Sequence, residues 1–170
     1  MDEEEAAITV GLGLLARKAA AFEYTLHGLA ANLRAEPRAY AYKGSRDSAR
    51  DHIDACLVGL ANGNSFPASS EVALAHDLEM ARAHLDERNR FIHGRWVYDS
   101  ERQSWLTIKA SRAKDAKRPE IEYATSEDVW GLAAEFGRLD LKLAAWDATY
   151  FGVPGVSEDG EFDRASVKRL

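Results

Sequence analysis

The chain contains a single cysteine, Cys56, in 170 residues. It therefore holds no intramolecular disulfide, which fits a reducing, cytoplasmic setting. No apolar run approaches the roughly 20 residues that a membrane span needs, so no membrane partner is expected. The N-terminus, Met1-Asp2-Glu3-Glu4-Glu5, lacks the basic segment of a secretory signal. There is no Gly-rich phosphate loop after a strand, no G-x-S-x-G elbow and no paired-cysteine motif. Basic residues are in deficit, with a formal net charge of -6. An acidic chain does not bind nucleic acid indiscriminately, so any such contact must come from a local basic patch.

Apolar residues make up 46% of the chain, enough for a real core and against wholesale disorder. From about Glu3 to Arg34 the apolar residues Ile8, Leu12, Leu15, Ala19, Phe22, Leu26, Leu29 and Leu33 alternate steps of four and three. That rhythm makes one stripe along a long helix. A second helix spans about Arg46 to Ala61, with Ala49, Ile53, Cys56, Leu57 and Leu60 on one side. A third runs from about Ser70 to Ile92 on Leu74, Leu78, Ala81, Leu85 and, past Arg88, Ile92, with Gly94 as its cap residue.

The pattern then changes period. Trp96-Val97-Tyr98, Trp105-Leu106-Thr107-Ile108 and Ile121-Glu122-Tyr123 read as a hairpin with a third strand. Thr125 to Asp128 reads as a capping box opening a last helix on Val129, Leu132, Phe136, Leu139, Leu143, Trp146 and Tyr150. The expected fold is mainly α: a bundle of four main helices in one domain over residues 1–151. A small β insertion at about 95–124 precedes the last helix, and residues 152–170 form a polar tail.

One residue breaks the third stripe. Arg88 stands where an apolar side chain is called for, and a charge on the buried side of a helix is costly unless paired or facing a wet cleft. Asn89 and His93 are four apart and share a helix flank. His93 falls in the last turn, where the helix dipole favours the imidazolium. Arg88 and His93 are five apart, about 140° around an ideal helix. Their convergence needs a long Arg reach, a distorted last turn or a second subunit. With fifteen arginines and five histidines, the bare spacing is weakly specific, and Arg46 and His52 match a looser version.

Arg88-Asn89-x-x-x-His93-Gly94, at the end of a long helix and before an aromatic strand, resembles the R-x4-6-H signature of the HEPN superfamily (higher eukaryotes and prokaryotes nucleotide-binding). The helix order over roughly Ala7 to Tyr150 also resembles that fold. The resemblance implies a metal-independent endoribonuclease acting as a homodimer with the two motifs facing each other, as in toxin or defence proteins. It also implies a possible cognate antitoxin partner. In one toxin branch a modified tyrosine stands two residues after the histidine; here that place is Arg95. The alternative reading is a non-catalytic helical module that binds a nucleotide, RNA or a partner protein.

The chemistry asked of these residues is simple. The RNA 2′-OH attacks the adjacent phosphate while a base takes its proton and an acid protonates the leaving 5′ oxygen. Histidine does either near neutrality. Arginine presents a planar fork to the phosphorane oxygens. Asn89 would orient a phosphate or the imidazole, and two His93 residues across a dimer would share the acid and base roles.

Substrate contacts are expected from Arg95, Trp96 and a basic run. Lys109, Arg112, Lys114, Lys117 and Arg118 lie within ten residues, opposed only by Asp115. Such a run grips an RNA backbone, or serves merely as a solvated loop that keeps a β edge soluble. His52 with Cys56 and Glu23 with His27 each supply two potential metal ligands, short of the three or four a site needs. Neither a metal nor another cofactor is expected.

Overall fold

The computed structural model describes residues 3–34, 48–62, 66–109 and 119–152. Among these, four helices are present: α1 (Glu3–Leu33), α2 (Ala49–Ala61), α3 (Ala68–His93) and α4 (Ser126–Phe151). Between α3 and α4 lies a three-stranded antiparallel sheet in the order β1 (Arg95–Asp99), β2 (Ser104–Lys109) and β3 (Glu120–Tyr123). The fold is thus mainly helical, with the small sheet ahead of the last helix. No described helix is long and apolar enough to cross a membrane. The expected polar tail, apart from Gly152, falls outside the described residues, as do residues 46 and 47 of the expected second helix.

The chain forms two compact units: Met1–Ala20 with Ala83–Gly137, and Ala21–Arg82 with Arg138–Leu170. The first is built around Ile8, Leu15 and Ala19 of α1, Leu85 and Phe91 of α3, and Val129, Leu132 and Phe136 of α4, all buried. Each buried Leu or Phe contributes about 1.5–3 kcal/mol of burial free energy. The start of α4 is held twice. Thr125 and Asp128 cap each other reciprocally, the Asp128 N–H donating to Thr125 Oγ1 and the Thr125 N–H to Asp128 Oδ2. Glu4 accepts from the Ser126 N–H at 2.7 Å and from the Ser126 hydroxyl at 2.9 Å. The acidic start of α1 thereby satisfies donors that the first turn of α4 leaves open.

The second unit buries Phe22, Leu26, Leu29, Ile53, Leu74, Leu78, Leu139 and Leu143. Its polar side chains are tied across elements. Thr25 donates to Asp140 at 2.6 Å, and Asn32 donates to Asp147 at 2.6 Å. The rings of His27 and His52 stack with centroids 4.3 Å apart. Burial in this unit pushes the Cys56 thiol up to about 12, so the single cysteine is a core residue held as the thiol. Helix α2 opens on a reciprocal Ser48–Asp51 capping box.

The junction of α3 with β1 is the part of the fold that positions the motif. The Gly94 N–H donates to the Arg90 carbonyl at 2.8 Å. A Cβ added at Gly94 would sit 2.3 Å from that oxygen. The glycine is required here by close backbone approach, and not by the left-handed conformation of an ordinary helix cap, which among described glycines only Gly152 adopts. Gly94→Ala is expected to cost about 1–3 kcal/mol of stability, read by urea denaturation. A loss under about 0.5 kcal/mol would mean that the turn yields freely.

Candidate functional site

The last two turns of α3 carry Arg88, Asn89, Arg90 and His93, and the structure gives them different jobs. Leu85 and Phe91 are buried on either side of Arg88, with 2% and 1% of their surface exposed. Arg88 itself is half-buried between them. Its Nη1 donates to Asn89 Oδ1 at 2.8 Å, so the neighbouring amide fixes the plane of the fork. Burial lowers the guanidinium's affinity for its proton below its ordinary value. A guanidinium nevertheless stays charged at neutral pH. Arg88 is a cation held partly out of water and aimed by a polar neighbour.

Arg90, two residues on, is a structural cation. It pairs with Glu87 at 3.0 Å and with Glu122 of β3, and its guanidinium lies 4.7 Å from the centre of the Phe91 ring. Its side chain retains only 14% exposure. These contacts tie the end of α3 to the far strand of the sheet. The sequence has two arginines around Asn89, and the structure distinguishes them: one braces the helix end, the other faces partly to solvent.

His93 lies in the final turn of α3 and is exposed. Because α3 stays helical through His93, the five-residue step from Arg88 still amounts to about 140° around the axis. Within one chain the two side chains leave the helix in different directions. The last turn is closed by β1: the Trp96 indole N–H donates to the Phe91 carbonyl at 2.9 Å, and the Trp96 ring lies 5.6 Å from that of Phe91. A helix-end carbonyl without an intrahelical partner is satisfied in this way. Trp96 is half-buried, and Arg95 beside it is exposed.

Lys109 ends β2 opposite Glu120. It lines a cleft of about 460 Å³ with Asp86, Glu87, Arg90, Glu120 and Glu122. Four carboxylates face two cations there, so the cleft is acidic. The other members of the basic run, Arg112, Lys114, Lys117 and Arg118, lie outside the described residues. Among the described residues, no three His, Cys, Asp or Glu side chains gather to hold a metal ion.

Sequence reasoning missed Phe91, whose burial carries the stripe past Arg88; it placed Ile92 there, and Ile92 is only half-buried. The signal was present in the step of three from Arg88 to Phe91, which a helical stripe takes as readily as the step of four to Ile92. No family model matches the chain, and neither a curated protein nor a solved structure matches it.

Proposed function

We propose that this protein is a metal-independent endoribonuclease of the HEPN type, active as a homodimer, in a toxin or defence role that a cognate antitoxin would restrain. The observation that carries the reading is Arg88: a cation in an apolar stripe, half withdrawn from water and forked against Asn89. A guanidinium held this way meets a trigonal-bipyramidal phosphorane with donors already oriented, so little reorganisation is needed as charge develops. His93, exposed at the same helix end, supplies the proton transfer.

The steps use these groups in order. One imidazole takes the proton of the RNA 2′-OH, whose oxygen attacks the adjacent phosphorus. Arg88 stabilises the phosphorane oxygens. The bond to the 5′ oxygen breaks, and a second imidazole, as imidazolium, returns a proton to that oxygen. The products are a 2′,3′-cyclic phosphate and a 5′-OH end. The roughly 140° between Arg88 and His93 on one helix supports a site completed across a two-fold axis, with one His93 from each protomer.

The test begins with light scattering at micromolar concentration, where twice the chain mass is expected. Purified protein should cleave RNA in EDTA and leave cyclic-phosphate ends. A roughly tenfold excess of His93→Ala chains, exchanged into the dimer, should lower cleavage per wild-type chain about tenfold, because most wild-type chains then lack a complete partner. A clean monomer that still cleaves RNA sinks the shared site. Protein inert on diverse RNAs sinks the nuclease and favours a module that binds without chemistry.

A further inference from the structure

The sheet has two unlike faces. Residues directly opposite in an antiparallel register share a face, and neighbours along a strand alternate. One face carries Trp96, Tyr98, Trp105 and Thr107, with Lys109, Glu120 and Glu122 at its β2–β3 end; Tyr98, at the turn end of β1, is 45% exposed. Thr107 is fully buried, Trp96 is bonded to Phe91 and Glu122 is paired with Arg90, so this face packs on α3. The opposite face carries Arg95, Val97, Leu106, Ile108, Ile121 and Tyr123. There Ile121 is 55% exposed and Tyr123 43%.

The sorting of charge is what identifies an occupant. Both carboxylates of β3 point to the inner face. The outer face is bordered by cations: Arg95 at one end, and Arg102 in the β1–β2 turn, its guanidinium 5.0 Å from the centre of the Tyr123 ring. The one carboxylate among the strand residues of that face, Asp99, is already engaged. It accepts from the Tyr123 hydroxyl at 2.7 Å and from the N–H groups of Glu101 and Arg102. An apolar floor with one aromatic ring and two bordering arginines, on a chain of net charge -6, suits a polyanion with flat apolar faces. Unpaired bases stack on such a floor while arginines take the phosphates. The floor is also continuous with the candidate site, since Arg95 follows His93 by two residues, roughly 7 Å of chain.

We propose that the outer face of the three-stranded sheet is a platform for single-stranded RNA, with bases stacked over Tyr123 and Ile121 and phosphates held by Arg95 and Arg102. The identity of the nucleic acid rests on the ribonuclease reading; the platform itself is tested by binding alone. Trp96 and Trp105 lie on the inner face and are not part of this platform.

The experiment uses the full chain carrying His93→Ala, so that RNA survives the measurement, and the anisotropy of fluorescein-labelled oligoadenylate and oligouridylate. Adding Tyr123→Ser is expected to raise Kd about tenfold or more. Tyr123→Phe keeps the ring, loses the bond to Asp99, and should bind as the parent does. Arg95→Ala should make the dependence of log Kd on log salt shallower by about 0.7. Tyr24→Ser, at an exposed tyrosine of α1, serves as the control and should change nothing. Thermal melts confirm that each variant is folded. Equal affinity of the parent and Tyr123→Ser overturns the platform, as does a parent that binds neither oligonucleotide. A change of mass in light scattering, with RNA affinity untouched, also overturns it and makes the face a joint between copies. Cleavage by the chain without the His93 change is scored separately. An active enzyme indifferent to Tyr123 keeps the nuclease and loses the platform; Tyr123-dependent binding without cleavage does the reverse.

Discussion

His93→Ala is expected to lower RNA cleavage by about 100-fold or more, with the fold unchanged. The size of the effect follows from chemistry: the imidazole is the one proton-transfer group in the motif, and alanine can neither take nor give a proton. The unchanged fold follows from placement. His93 is exposed in the last turn of α3, and that turn is closed by groups other than its ring. The Gly94 N–H bonds the Arg90 carbonyl, and the Trp96 indole bonds the Phe91 carbonyl. Cleavage rates at saturating RNA and a thermal melt of the same samples check both halves. Equal activity of wild type and His93→Ala removes the imidazole from the chemistry.

Arg88→Ala is expected to lower turnover by about 100- to 1000-fold, the range seen when one preorganised donor to a developing oxyanion is lost. Its signature differs from that of His93→Ala, because the proton-transfer group stays in place. Arg88→Lys restores the charge without the planar fork, so it should recover only a small part of the rate. Stability should hold in Arg88→Ala, since alanine lies comfortably in a stripe flanked by buried Leu85 and Phe91. Loss of the stem's packing is the opposing effect, and it is small for a half-buried side chain. Full activity in Arg88→Ala would make Arg88 a structural residue. A large drop in melting temperature together with the lost rate would mean that the guanidinium holds the helix end.

These two variants must be read beside Arg90. Its pairs with Glu87 and Glu122 brace α3 against β3. Arg90→Ala therefore disturbs the sheet as well as the helix, and lost activity in that variant says nothing about the chemistry.

The helices were legible from the sequence because each buries a face along most of its length, and burial imposes a period. Ile8 through Leu33 keep steps of four and three, and α1 spans Glu3–Leu33. Thr125 and Asp128 announce the start of α4 by chemistry that is local to four residues. The strands were legible for a similar reason, since short β-branched and aromatic runs do not keep the helical period. Arg88 was legible as a break in such a rhythm.

What only the tertiary structure decided depends on contacts between residues distant in the chain. Sequence alone does not say which of Arg88 and Arg90 is structural, because the answer lies in Glu122, a residue of the last strand. It does not say which aromatic residues of the insertion are turned inward, because alternation fixes two faces without naming the buried one. Burial of Thr107 and the bond from Trp96 to Phe91 name it, and leave Ile121 and Tyr123 outside. Gly94 reads as an ordinary helix cap in sequence. Its constraint is the local exception: the Arg90 carbonyl oxygen, four residues back, lies 2.3 Å from where a side chain would begin, a matter of the backbone path at the end of α3 that residue type alone does not give.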